Sequence, residues 1–312
     1  MNTDAQDKVS GSGTAFAITA YLLWGILPIL FFAVRESSAP EIVAWRIVLS
    51  LVFCALIVTV TRSWPALIAI VRSRRTMLSL ALAAVFILVN WLVYVFASVS
   101  GHVVEASLGY FALPIVTVLL GVVVLRERLR LLQWIALGVS VIAVLVIAVG
   151  YGAFPWIAIA LAFSFGFYGL VKKRVGPTVD AVSGLAIETA VLAPAAVVAL
   201  VVIAVTSGLS IGDFGPAHTV LMLSLGIATS VPLILFAAAA RRLPLIYLGL
   251  VQYIAPILQL VVGVVLLHED MPVERWVGFG IVWVALVILT VDVFLQARRQ
   301  RGAAAPEVAG AP

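Results

Sequence analysis

Residues 131–171 read LLQWIALGVSVIAVLVIAVGYGAFPWIAIALAFSFGFYGLV, a run of 41 residues without one charged side chain. The hydrocarbon core of a bilayer is about 30 Å thick and takes about 20 helical residues to cross, so the run is too long for one crossing. Gly150-Tyr151-Gly152 is a turn signal near its middle, and the run divides there into two helices. Outward from this segment the charges are sparse enough to delimit every other span. The expected helices are Thr14–Val34, Glu41–Thr61, Met77–Ala97, Val104–Leu125, the two halves of 131–171, Val182–Ala204, His218–Ala240, Leu245–Leu267 and Arg275–Leu295. Between the second and third, Pro65 to Val71 is a short apolar stretch suited to lying on the inner membrane surface. Residues 1–13 and 296–312 are tails on the cytoplasmic side, the second rich in Ala, Gly and Pro.

Composition agrees. Of 312 residues, 64% are apolar and 11% charged, against 45–50% and about 25% in soluble domains. With a mean hydropathy of +1.23, the chain cannot cover itself with a water-facing surface. This excludes an ordinary soluble enzyme, a disordered chain and a nucleic-acid-binding domain, so the net charge of +5 is a topological signal and not a phosphate-binding footprint. The one cysteine, Cys54, can form no internal disulfide.

The loops test the span count. With the N-terminus inside, the inner segments hold Lys8, Arg62, Arg72, Arg74, Arg75, Arg126, Arg128, Arg130, Lys172, Lys173, Arg174, Arg241, Arg242, Arg298, Arg299 and Arg301, while the outer loops hold Arg35 and Arg275. Cytoplasmic loops concentrate Lys and Arg. The split therefore predicts ten crossings with both termini inside, in a multi-pass membrane protein.

An offset of 142 residues aligns Pro114 with Pro256, Gly121 with Gly263, Glu127 with Glu269, Trp134 with Trp276, Gly138 with Gly280 and Arg46 with Glu188. After a two-residue shift Trp24-Gly25 also matches Tyr168-Gly169. This predicts an internal repeat of five helices, residues 14–150 and 151–295. An odd number of crossings inverts the second copy, and inverted repeats characterise alternating-access transporters with substrate sites near the midplane.

Each half resembles an EamA domain of the drug/metabolite transporter superfamily, on Pro114, Glu127-Arg128-Leu129, Gln133 and Gly138 in the first copy. The whole chain, from about Thr14 to Leu295, resembles the RarD branch. The residues that carry this are 21–25 (YLLWG), Asn90-Trp91, 105–111 (EASLGYF), 162–171 (AFSFGFYGLV) and Gln252-Tyr253-Ile254. The second copy departs from the pattern where Glu274-Arg275 replace Leu132-Gln133. The resemblance implies an all-α, ten-helix inner-membrane permease that exports small metabolites or drugs. The RarD name is associated with chloramphenicol sensitivity, which does not identify a substrate.

Ionisable groups inside a membrane are costly and are functional candidates. Arg46 lies five residues inside the second span and Glu188 six inside the seventh, about 7.5 Å and about 9 Å from opposite membrane faces. Their backbones then differ in depth by about 13–14 Å in a 30 Å core, which argues against a direct salt bridge. Arg46 either snorkels to the outer interface or faces a cavity. Glu188 reaches less far and suits a cavity carboxylate that couples to protons or holds a cationic substrate group. Glu105, in the first turn of its helix, complements the helix dipole or takes part in coupling.

Tyr110 and Phe111 precede Pro114 as Gln252 and Tyr253 precede Pro256. A proline frees the carbonyl four residues earlier, and interrupted helices build transporter sites; the alternative is a bend made for packing. Asn90, Trp91 and Tyr94 share one face of the third span, as a patch for an amphipathic organic substrate or as interfacial aromatics. Trp24 and Tyr168, which match in the repeat, are expected to line the cavity. Asp292 is expected to pair with Arg298 or Arg299 at the inner end, and Glu127 and Glu269 to cap loops. His102, His218 and His268 have no metal-ligand spacing, and there is no nucleotide-binding glycine loop.

These features predict a secondary transporter that works without cofactor or metal. Its partners would be a small-molecule substrate, possible coupling protons and the lipid bilayer, with no nucleic acid. An uncoupled facilitator and an intramembrane lipid-handling protein are the alternatives.

Overall fold

The computed structural model describes residues 11–125, 131–150, 154–175, 178–240, 242–243 and 251–303. The described residues are almost wholly helical and contain no strand. The helices are α1 Gly11–Ala33, α2 Ala39–Val60, α3 Trp64–Arg72, α4 Arg74–Val99, α5 Val103–Leu125 and α6 Leu131–Gly150. They continue with α7 Trp156–Val175, α8 Ala181–Thr206, α9 Gly215–Ala240, α10 Ile254–Val261, which runs into a π-helical turn Val262–Leu266, and α11 Val273–Ala303. Among the described residues, six segments are long and apolar enough to cross a membrane: 11–33, 39–60, 74–99, 181–206, 215–236 and 273–292. Shorter apolar stretches occupy 103–117, 131–143, 156–172 and 254–266. The stretch expected on the inner surface forms α3, which buries none of its residues.

Local chemistry sets the helix starts. Ser38 precedes α2, with Pro40 in its first turn, and its hydroxyl accepts from the Glu41 N–H. Ser73 accepts from the Thr76 N–H at α4. Asp180 takes the N–H groups of Val182 and Ser183, both at 3.0 Å, at the start of α8. Its burial favours the neutral acid, but these hydrogen bonds outweigh that and hold its carboxyl below the usual range. At α5 the cap is remote in sequence. Glu269 Oε1 and Oε2 accept from the N–H groups of Val103 and Val104 at 2.6 and 2.8 Å. The π turn delivers this carboxylate, since Leu267 N–H bonds to Val262 O and Glu269 N–H to Gly263 O. The capping role expected of Glu269 is thus present, directed at another helix; Glu127 lies outside the described residues.

The helices fall into two compact units, residues 1–110 with 157–270 and residues 111–156 with 271–312. Each draws on both sides of the boundary expected after Gly150. In the first unit α2 packs on α8 and α9, and α1 on α9 and α10. Gly226 on α9 lies so close to α2 that a Cβ there would sit 2.6 Å from the Leu49 carbonyl carbon, and one on Gly109 would sit 2.7 Å from Ala158 O. Small residues permit this approach where lipid supplies no hydrophobic drive between helices. The outward face of α8 carries exposed Val197, Val198, Val201, Val202 and Val205, an apolar surface suited to lipid. Several hydroxyls in the spans bond back to their own helix, as Thr189 does to Leu185 O and Ser98 to Tyr94 O. In the second unit α6 packs on α11, and Phe111, Phe279 and Trp283 form an edge-to-face cluster.

Candidate functional site

Arg46 and Glu188 are both buried among the described residues of the first unit. Arg46, on α2, is 4% exposed and does not snorkel. Its Nε donates to the Thr229 hydroxyl of α9 at 2.7 Å, and its guanidinium lies over the Trp91 ring at 4.4 Å and near that of Phe31 at 5.5 Å. Its NH1 nitrogen has no hydrogen-bond partner, and no carboxylate pairs with it among the described residues. Desolvating an ion costs several kcal/mol even after relaxation, whereas a desolvated cation–π contact returns about 2 kcal/mol. The neighbours of Arg46 offset only part of its burial.

Aromatic and amide groups surround this cation. Phe31 and Tyr94 meet edge to face at 5.9 Å, and Tyr94 and Tyr110 at 5.5 Å. The Arg46 charge acts on the hydroxyls of both tyrosines. Asn90 organises the next layer: its Nδ2 donates to Leu161 O and the Ser164 hydroxyl on α7, and its Oδ1 accepts from the Tyr110 hydroxyl at 3.1 Å. Gln259 on α10 donates to Trp24 O at 3.3 Å. The Tyr94 hydroxyl and Gln259 Oε1 are both buried and each lacks a hydrogen-bond partner.

The second centre is Glu188, fully buried on α8. Lys172 Nζ, on α7, donates to its Oε1 at 2.7 Å, and the Tyr168 hydroxyl donates to its Oε2 at 3.1 Å. Lys172 also lies 5.7 Å from the centre of the Tyr168 ring. The pair is short and charge-assisted, and the lysine side chain keeps 26% of its surface exposed. Phe165 links the two centres, with ring contacts of 6.1 Å to Tyr110 and 5.6 Å to Tyr168. Among the described residues no hydrogen bond or ion pair joins Arg46 to Glu188, as their expected depths imply.

Other expected residues are dispersed. Trp24 stacks at angles on Tyr21 and Phe236, at 5.4 and 5.8 Å. Gln252 and Tyr253 form a turn just before α10, with the Gln252 carbonyl accepting from Ala255 N–H at 3.3 Å; α5, by contrast, runs unbroken through Pro114. Phe111 belongs to the second unit, where it meets Phe279 and Trp283. Glu105 accepts from the backbone N–H of Ile157 at 3.1 Å, near the start of α7. Asp292 is buried and accepts from Gln133 Nε2 at 3.0 Å; the side chains of Arg298 and Arg299 lie outside the described residues.

Sequence reasoning missed Lys172, Thr229, Ser164 and Gln259. Lys172 had a signal, its four-residue spacing from Tyr168, which puts both on one helix face. It also missed a buried polar cluster at the start of α2. There Glu41 Oε1 accepts from the Ser210 N–H and hydroxyl, both at 2.8 Å, and Ser37 bridges Ser210 at 2.5 Å to His218 Nε2 at 3.0 Å.

Long apolar helices that bury a guanidinium and an ion pair among aromatic rings make this a multi-pass membrane protein. Residues 11–149 match the EamA-like transporter family. The chain is 44% identical over 304 residues to protein RarD of Streptomyces exfoliatus, covering 96% of each chain. It is 38% identical to protein RarD of Escherichia coli over 94% of this chain and 98% of that one. A solved crystal structure, 18% identical, shares the fold with a TM-score of 0.57 over 93% of this chain and 98% of that chain. The chain therefore belongs to the RarD family of EamA-type transporters in the drug/metabolite transporter superfamily.

Proposed function

We propose that the protein is a secondary transporter of the inner membrane that moves small organic solutes outward by alternating access. It would use ten crossings in two inverted five-helix repeats, with both termini in the cytoplasm. The observation that carries this is the Lys172–Glu188–Tyr168 centre. A carboxylate buried this deeply in a span is costly, yet it is held by one lysine whose side chain is still partly open to solvent. Protonating Glu188 would remove the attraction that holds Lys172 and free α7 to move against α8, coupling proton binding to a change of shape. The 142-residue repeat and the concentration of cations in alternate loops support the inverted arrangement.

Comparative metabolite profiling of cells lacking and overproducing the protein tests transport. A solute that rises outside the overproducing cells and falls outside the deficient ones is expected. For coupling, export from energised vesicles should fall when the proton gradient is collapsed, and Glu188→Gln should make residual export independent of pH. Export that ignores the gradient, or a Glu188→Gln protein with the wild-type pH profile, would leave only the uncoupled facilitator.

A further inference from the structure

We propose that Arg46 is the anchor of an anion site, and that the solute is an organic carboxylate with a flat apolar body. This deepens the transporter reading above and rests on it. Arg46 is 4% exposed, its NH1 has no hydrogen-bond partner, and the described residues offer it no carboxylate. The residue at the matching position of the repeat, Glu188, is fully compensated by Lys172 and Tyr168. An unpaired guanidinium inside a membrane protein calls for a counter-charge, and a planar fork of N–H donors suits a carboxylate better than any neutral acceptor.

A second donor belongs to the same cluster. The Tyr94 hydroxyl is buried without a partner, and its ring touches Phe31, which the guanidinium also approaches. In the proposed site NH1 of Arg46 and the hydroxyl of Tyr94 would serve the two oxygens of one carboxylate. Thr229 fixes the guanidinium through Nε and leaves NH1 available. The rings of Phe31, Trp91 and Tyr110 would hold the flat part of the solute. A cationic solute would meet unscreened repulsion at Arg46, and a neutral one would leave the charge uncompensated.

The test uses the purified full-length protein in detergent. Its single cysteine, Cys54, is buried and free, so a thiol-reactive dye reports unfolding, and bound ligand raises the midpoint. The probes are acetate, phenylacetate and indole-3-acetate, each paired with its neutral amide. Saturable stabilisation by phenylacetate or indole-3-acetate is expected, with at least a tenfold weaker effect of the amide. Arg46→Gln should abolish the acid–amide difference, Arg46→Lys should weaken it, and Tyr94→Phe, which keeps the ring, should weaken binding about tenfold. Should Arg46→Gln fail to fold, the Tyr94→Phe protein and the acid–amide comparison on the wild type decide. Acids and amides binding alike, neither binding, or Arg46→Gln binding acids as the wild type does would overturn the anion site. A metabolite shift in overproducing cells together with any of those results would leave the transporter reading standing and this one fallen.

Discussion

Arg46 and Glu188 occupy matching positions of one sequence repeat, yet the chain treats them in opposite ways. Glu188 receives a lysine at 2.7 Å and a tyrosine hydroxyl at 3.1 Å. Arg46 receives one hydroxyl and an aromatic face, and keeps an unpartnered nitrogen. The internal charge of the first is balanced by the protein, whereas that of the second is left over. A buried ion that the fold balances contributes to holding helices together. A buried ion that it does not balance costs stability, and is best understood as kept for what it binds.

The largest consequence follows from removing the balance. Lys172→Met strands the Glu188 carboxylate, and breaking a buried pair from one side costs about 3–5 kcal/mol. The partial exposure of Lys172 puts the expected loss near the lower end, about 3 kcal/mol. Thermal unfolding of the purified protein measures it. Adding Glu188→Leu should return stability to within about 1 kcal/mol of wild type, because a buried pair can be replaced whole by apolar residues at little cost. If Lys172→Met alone is harmless, the pair does not hold α7 to α8.

The tyrosines of the two centres differ in the same sense. Tyr168→Phe removes a donor to a charged acceptor and should cost about 1.5–3 kcal/mol. Tyr94→Phe removes a hydroxyl that has no partner and should be neutral or slightly stabilising in the same measurement. Equal losses at both positions would mean that the Tyr94 hydroxyl is engaged after all.

Arg46→Met should move stability the other way. Replacing an uncompensated buried cation by an apolar chain of similar length is expected to raise stability by about 1–2 kcal/mol, while the export seen by metabolite profiling is lost. A stability gain with loss of function is the signature of a residue retained for its ligand. A destabilised Arg46→Met protein would place the guanidinium instead among the groups that hold α2 to α9.

The sequence carried the positions of both ions but not their surroundings. Charges are so rare in this chain that Arg46 and Glu188 stand out within their spans. Their depth estimates anticipated that the two would not pair. Lys172 was hidden because it opens the triplet Lys172-Lys173-Arg174, which has the composition of an inner loop. Only its hydrogen bond to Glu188 on α8 shows that it turns inward. Thr229 lies 183 residues from Arg46, and hydroxyls are too common in spans for one to announce a long-range partner. The same holds for Glu269, whose capping role was legible but whose target, the start of α5, lies 165–166 residues away. Interruption and a packing bend are both open in the sequence at Pro114 and Pro256; Gln252 and Tyr253 form a turn before α10, whereas Pro114 interrupts nothing in α5. A proline marks where a helix can open, and tertiary packing decides whether it does.

The smallest expected effect separates the two helices that carry these ions. α8 starts on a charged cap, Asp180, and α2 on a neutral one, Ser38. The Asp180 carboxyl lies below its usual range because Ser183 and Val182 hydrogen-bond its charged form, outweighing partial burial. Its folded pKa is depressed, so its contribution is complete above the unfolded value of about 3.9 and is lost as pH falls through the lower folded value. Asp180→Asn keeps a capping amide oxygen but not the charge at the positive end of the helix. At pH 7 it should lower stability by about 0.5 kcal/mol, and the gap should close on acidification below about pH 4. Ser38→Ala should cost about 0.5–1 kcal/mol with a gap that does not change over the same range, since no proton is exchanged at that cap. Unfolding midpoints of the two variants and the wild type between pH 7 and 3 give both differences. A pH-independent gap for Asp180→Asn would mean that α8, unlike the centre it carries, does not depend on charge at its start.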